Sequence, residues 1–180
     1  VLAVAVSVMS LASQPAAAYP PGTGLTLTAN KLHVTSSETV TFTANFAKPY
    51  TTVRFTYGSS SRSVTANGSG IAVASLRTSG TGTWLARAVN LSETATRTVY
   101  APKISLTNSS ARTGSANSVK VQHIQPGAVL TVVLGSSSYY GTGAGTNVVT
   151  IGFVTPPKGR YSVLVFVGAQ LFATLRLDSK

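Results

Sequence analysis

The chain has 180 residues, 43% of them hydrophobic, and contains no cysteine. Charged residues supply only 9% and are one-sided, with 14 Lys and Arg against Glu38, Glu93 and Asp178, a net charge of +11. Such a chain holds one or two modest domains. It excludes disulfide-stapled and zinc–thiolate scaffolds, lacks the acidic cluster that calcium requires, and attracts polyanions.

In chain order, Val1 to Ala12 is a run of small and apolar residues. Ser13-Gln14-Pro15 and then Ala16-Ala17-Ala18 follow, which fits an export signal over residues 1–18 that begins inside its apolar part. Cleavage after Ala18 leaves Tyr19 to Thr23 as a short Pro-containing leader. The run is shorter than the roughly 20 residues that span a bilayer. Membrane attachment is therefore expected only through an uncleaved signal segment, and the expected address is secreted, at or near the cell surface. An exported chain without cysteine leans toward a bacterial source.

Beyond Gly24 the apolar residues alternate with polar ones, the period of half-buried strands. Val40, Phe42, Ala44 and Phe46 share one face; Val53, Phe55 and Tyr57 share another around Arg54. Turn-forming clusters recur about every ten residues, at Ser36-Ser37, Lys48-Pro49, Gly58 to Ser61, Asn67 to Gly70 and Ser79 to Gly82. No window carries a helical stripe, so the expected fold is all-β.

The sequence also repeats itself at an offset of 77 residues. Gly58-Ser59-Ser60-Ser61 returns as Gly135-Ser136-Ser137-Ser138, while Pro49, Thr65, Gly68, Thr78 and Gly82 meet Pro126, Thr142, Gly145, Thr155 and Gly159. Two copies of one small β-sandwich are predicted, over 24–102 and 103–180, with the boundary at Tyr100-Ala101-Pro102-Lys103. Pro102 and the lack of any real linker predict a stiff joint.

Gly82-Thr83-Trp84-Leu85-Ala86-Arg87-Ala88 and its partner Gly159-Arg160-Tyr161-Ser162-Val163-Leu164-Val165 resemble the penultimate strand of bacterial immunoglobulin-like domains, of the Big or fibronectin-III-like kind. The resemblance implies two tandem immunoglobulin-like sandwiches. It also implies a corner hydrogen bond from the aromatic that opens the strand, which Tyr161 can make and Trp84 cannot make in the same way. About 77 residues is short for this fold, so one peripheral strand is expected to be reduced or missing.

Catalysis is not expected from this inventory. His33 and His123 fall in different copies, and His123 sits in the slot of the inward Phe46, where a structural histidine is expected. Glu38 and Glu93 both lie in turn-like stretches of the first copy, without counterparts in the second. Asn67, Asn90 and Asn108 head N-glycosylation tripeptides of the kind a Ser/Thr-rich chain shows by chance. No metal or cofactor is expected.

Function on a duplicated scaffold is expected where the copies differ. Strand parity turns Arg54 and Arg87 outward, as neighbours if they belong to the third and sixth strands, whereas the second copy has Thr131 and Leu164 there and Phe166 beyond. Where the first copy has Arg62-Ser63 in the loop after Gly-Ser-Ser-Ser, the second has Tyr139-Tyr140, of which at least one must face solvent. Arg54, Arg87, Tyr139, Tyr140, Leu164 and Phe166 are the candidate contact residues. The expected function is non-enzymatic binding or adhesion at a cell surface. Its partners would be an anionic cell-envelope polymer or glycan and, through the second domain, another copy of the chain, with no specific nucleic acid. The alternative is a structural spacer or assembly subunit without a ligand.

Overall fold

The computed structural model describes residues 24–77, 79–143 and 147–180; the expected export signal and leader lie outside the described residues. The first half forms β1 (Thr26–Ala29), β2 (Thr39–Asn45), β3 (Thr52–Tyr57), β4 (Ser60–Thr65), β5 (Ala72–Arg77), β6 (Gly82–Asn90) and β7 (Glu93–Ala101). The second forms β8 (Lys103–Leu106), β9 (Ser110–Ala111), β10 (Ala116–Gln122), β11 (Val129–Leu134), β12 (Ser137–Thr142), β13 (Val148–Val154), β14 (Gly159–Val167) and β15 (Gln170–Ser179). No helix occurs among the described residues.

The strands make two immunoglobulin-like sandwiches. In the first, a three-stranded sheet ordered β1-β2-β5 faces a four-stranded one ordered β4-β3-β6-β7. In the second, β8, β10 and β13 face β12-β11-β14-β15, with β9 added in parallel to β15. Apolar residues alternate along every central strand because one face must be dry, and the inward rows build two separate cores. The three-stranded sheets end at β5 and β13, so the missing peripheral strand is the one that would flank those edges. This accounts for the short repeat.

The 77-residue offset reaches into the backbone itself. Positive φ occurs at Ser37 and Gly114, Phe46 and His123, Tyr50 and Gly127, Gly58 and Gly135, and Leu91 and Gly168, five pairs at the same separation. Each marks a place where the chain turns in the left-handed region that side chains other than glycine disfavour. Gly58-Ser59 and Gly135-Ser136 are two-residue hairpin turns with φ positive at the first residue, where glycine fits best.

Two expectations are corrected. Phe46 does not continue the inward row of β2: it follows the last strand residue with φ 62°, is half-buried, and leaves the inward place to the fully buried Ala47. His123 repeats this geometry at φ 58°, with Ile124 buried beside it. Arg62-Ser63 and Tyr139-Tyr140 are not loop residues either, since they lie inside β4 and β12. The two-residue turn returns the chain to the sheet sooner than a Gly-Ser-Ser-Ser cluster suggests.

The corner residues differ as the sequence implied. Tyr161 donates its hydroxyl proton to the Pro157 carbonyl at 2.8 Å, tying the turn before β14. Trp84 packs on the first core, but its buried indole N–H has no acceptor. Both rings lie over the glycine two residues earlier, so that a Cβ on Gly82 or Gly159 would come within 3.3 Å of them.

The asparagines of the glycosylation tripeptides serve the fold. Asn90 is buried, accepts the Lys48 N–H and donates to Thr51 Oγ1 and the Thr52 carbonyl. Asn67 accepts from the Ser69 and Ile71 amides, which closes the turn before β5.

Leu91 occupies the first position of the β6–β7 hairpin at φ 54° and is 66% exposed, while its counterpart Gly168 meets the same turn without a side chain. A left-handed residue costs about 1–2 kcal/mol, and glycine gives back part of this through the unfolded chain. Leu91→Gly is expected to stabilise the first sandwich by about 0.5–1 kcal/mol, read as a higher midpoint in urea unfolding; a lower midpoint would contradict it.

Candidate binding surfaces

The four-stranded sheet of each sandwich turns one face outward, and strand register fixes which side chains share it. In the first sandwich two rows cross this face: Ser63, Arg54, Val89 and Thr94, then Ser61, Thr56, Arg87 and Thr96. Arg54 and Arg87 are exposed diagonal neighbours on adjacent strands, within reach of one polyanionic chain. Arg87 also donates to Thr94 Oγ1 at 3.2 Å, which steadies its guanidinium over the sheet.

At the same places the second sandwich carries Tyr140, Thr131, Phe166 and Leu171, then Ser138, Val133, Leu164 and Thr174. A threonine-and-arginine face has become an aromatic and aliphatic one. Tyr140 is 72% exposed and Leu171 47%, while Leu164 and Phe166 are half-buried by their cross-strand neighbours. Tyr139 leaves this group. It stands on the core side of β12 and packs its ring 5.9 Å from that of Phe153, in the place that Arg62 holds in the first sandwich.

The acidic residues bind locally. Glu38 pairs with Lys31 and accepts the Thr35 N–H, and these partners hold its carboxyl below the usual range. Glu93 Oε2 accepts the Leu25 amide at 3.1 Å. Among the described residues, no three His, Asp or Glu side chains gather where they could hold a metal.

His33 lies at the joint between the copies. It bridges the two sandwiches, in a parallel backbone pairing with Tyr100. Its ring lies 5.6 Å from that of Tyr100 and meets Phe172 of the second sandwich edge-on at 6.3 Å. The Gln125 N–H points at His33 Nε2 across the joint, at 3.4 Å. Phe172 reaches it through a bulge: Val165 pairs with Ala173 but Phe166 with Leu171, leaving Phe172 over. The signal for this was present in the sequence, because past Phe172 the copies align at 78 residues rather than 77.

No protein-family model matches the chain, and no curated protein does. Among solved structures it is similar to the D0-D1 domain of intimin, with 17% identity over 87% of this chain and 98% of that one and a TM-score of 0.38. It is similar to the Escherichia coli adhesin FdeC, with 18% identity over 87% and 64% and a TM-score of 0.40. It is also similar to the human OSCAR ligand-binding domain, with 13% identity over 88% and 96% and a TM-score of 0.40. The likeness is one of fold.

Burial lowers the pKa of His33 from 6.5, and the cleft beside it holds Arg97, Tyr100 and Gln125 with no carboxylate among its lining residues. Neutral imidazole accepts the Gln125 N–H; imidazolium cannot. A lowered folded pKa means that the unfolded chain takes the proton first, so this stability is complete above pH 6.5 and is lost as pH falls through the folded value. The Glu38 contribution also fades toward acid, but only below its ordinary value of 4.5. Urea unfolding at pH 7.5 and 5.5 is expected to show a loss in the parent chain and a smaller one in His33→Gln, whose amide oxygen accepts without titrating. Equal losses in the two proteins would exclude His33 as the source.

Proposed function

We propose that the chain is a non-enzymatic binding protein of the cell surface, in which the two sandwiches present unlike faces to unlike partners. The first offers Arg54 and Arg87, spaced along a threonine-rich sheet, to an anionic envelope polymer or glycan. The second offers Tyr140, Phe166, Leu164 and Leu171 to a protein surface, which we take to be another copy of the chain. The observation that carries this reading is the position-by-position replacement of one outer face by the other on a shared scaffold. Fold alone does not require it, because the outward positions of a solvated sheet are free to stay polar, as most in the two rows of the first sandwich do. An apolar outer patch on a soluble domain marks a contact surface.

Two variants test the two faces separately. Arg54→Thr/Arg87→Thr is expected to elute from an immobilised anionic glycan at lower salt, with the slope of log K against log salt reduced by about 1.5. Retention and slope equal to the parent would remove the arginine face from the proposal. Leu164→Thr/Phe166→Thr is expected to sediment as a monomer at concentrations where the parent is larger. A parent chain that stays monomeric at high concentration would end the self-association reading and leave the ligand-free spacer in its place.

A further inference from the structure

Five of the seven cationic side chains of the second sandwich lie at one end of it, although they are scattered in sequence: Arg112, Lys158, Arg160, Arg176 and Lys180. The corresponding places in the first sandwich, allowing for the one-residue bulge, hold Thr35, Thr81, Thr83, Thr98 and Pro102. The cluster is thus a property of one copy and not of the scaffold. Three of the five, Lys158, Arg160 and Lys180, line an open cavity of about 460 Å³ together with Ser110, Gly159, Asp178 and Ser179.

The fold holds this end rigid. β9 pairs in parallel with the end of β15, and the Lys180 N–H donates to the Ala111 carbonyl at 3.0 Å while the Thr113 N–H donates to that of Lys180 at 3.1 Å. This brackets Arg112 beside Lys180. Ser179 Oγ donates to the Pro156 carbonyl at 2.7 Å, and Tyr161 ties the next carbonyl, so the turn that presents Lys158 is fastened from two sides.

Asp178 is the one carboxylate present. Its Oδ1 lies 3.2 Å from Arg176 Nε and 3.6 Å from Arg160 Nε, an internal counter-ion shared by two guanidinium groups. Five cationic side chains against one carboxylate side chain leave a local excess, and exposed ion pairs of this kind exchange readily for an external anion.

We propose that this basic pole is an anion site for an extended phosphate-bearing polymer, whose successive phosphates are taken by Lys158 and Arg160 at the cavity and by Arg112 beside Lys180. The lining carries no apolar side chain that could enter a bilayer, which favours a hydrophilic polymer over a lipid surface. The proposal rests on the polyanion reading above but places the principal contact on the second sandwich and not on Arg54 and Arg87.

Long-chain inorganic polyphosphate is the probe, titrated from about 50 to 200 mM salt. Arg112→Thr/Lys158→Thr/Arg160→Thr, which installs the first sandwich's residues at exposed positions, is expected to weaken binding at least tenfold at low salt and to reduce the salt slope by about 2. Asp178→Asn is expected to act in the opposite sense and tighten binding several-fold, which a folding defect would not do. An unchanged slope in the triple variant, or weaker binding in Asp178→Asn, overturns the pole. If Arg54→Thr/Arg87→Thr alone abolishes binding, the face stands and the pole falls; if neither variant matters, both readings fall. Vesicles of phosphatidylglycerol binding as tightly as polyphosphate would overturn the assignment to a polymer.

Discussion

Everything in this chain depends on packing two sheets face to face without a covalent tie between them. An immunoglobulin-like domain can be fastened by an inter-sheet disulfide, but here no cysteine exists and the inward side chains alone join the layers. In the first sandwich the joining contact is aromatic, with Phe42 of one sheet meeting Tyr57 of the other edge-on at 5.1 Å. The Tyr57 hydroxyl is buried without a partner and its pKa is pushed up to about 12, chiefly by that burial, with the Glu38 charge adding to it. The ring's packing must outweigh an unsatisfied polar atom. In the second sandwich Val119 and Leu134 stand at the same two positions, and the volume is recovered elsewhere by Ile124, Phe153 and Leu177. The two interiors keep the alternating pattern while exchanging residues, and larger side chains at some places accompany smaller ones at others, as close packing requires.

The backbone is more conservative than the core. Five turn positions retain positive φ in both copies although only one pair is glycine in both. The turns set strand register, and a slip of one residue would carry every inward side chain to solvent. Side chains such as Leu91 and Tyr50 are therefore tolerated in a left-handed backbone where the second copy has Gly168 and Gly127. The outer faces carry no such obligation, and there the copies have separated most.

Much of this was legible from sequence because alternation and turn chemistry are local. The strands, the absence of helix among the described residues, the neighbouring positions of Arg54 and Arg87 and the unequal corners at Trp84 and Tyr161 follow from period two and from the repeat. Phe46 was misplaced because alternation does not reveal where a strand ends; the left-handed turn after Asn45 is invisible in an uninterrupted apolar pattern. Tyr139 and Tyr140 were placed in a loop because a run of serines reads as one, whereas two residues suffice for the turn. The basic pole was hidden for a different reason. Its members come from three stretches between Arg112 and Lys180, which the pairing of β14 with β15, the parallel pairing of β9 with β15 and the tethered turn at Pro156 bring together.

Charge has been put to different physical uses in the two copies. In the first, Arg62 and Arg97 stand opposite Phe55 and Ala86, on the core side of β4 and β7. A charged residue pointing inward from a bordering strand disfavours further strand pairing. The second copy has Tyr139 and Leu175 at those places and has moved its cations to the end remote from the shared boundary at Pro102. The bordering strand β12 is thereby left without the inward charge that β4 carries, while one pole gathers five of the seven cations. The bulge at Phe172 belongs to the same redistribution: one extra residue in β15 sets a ring that packs both on the second core and against His33, and shifts the rest of the strand by one place relative to the repeat. That shift aligns Arg176, Asp178 and Lys180 with Thr98, Tyr100 and Pro102 of the first copy, so a single inserted residue accompanies both the interdomain contact and the new charge pattern at the strand's end.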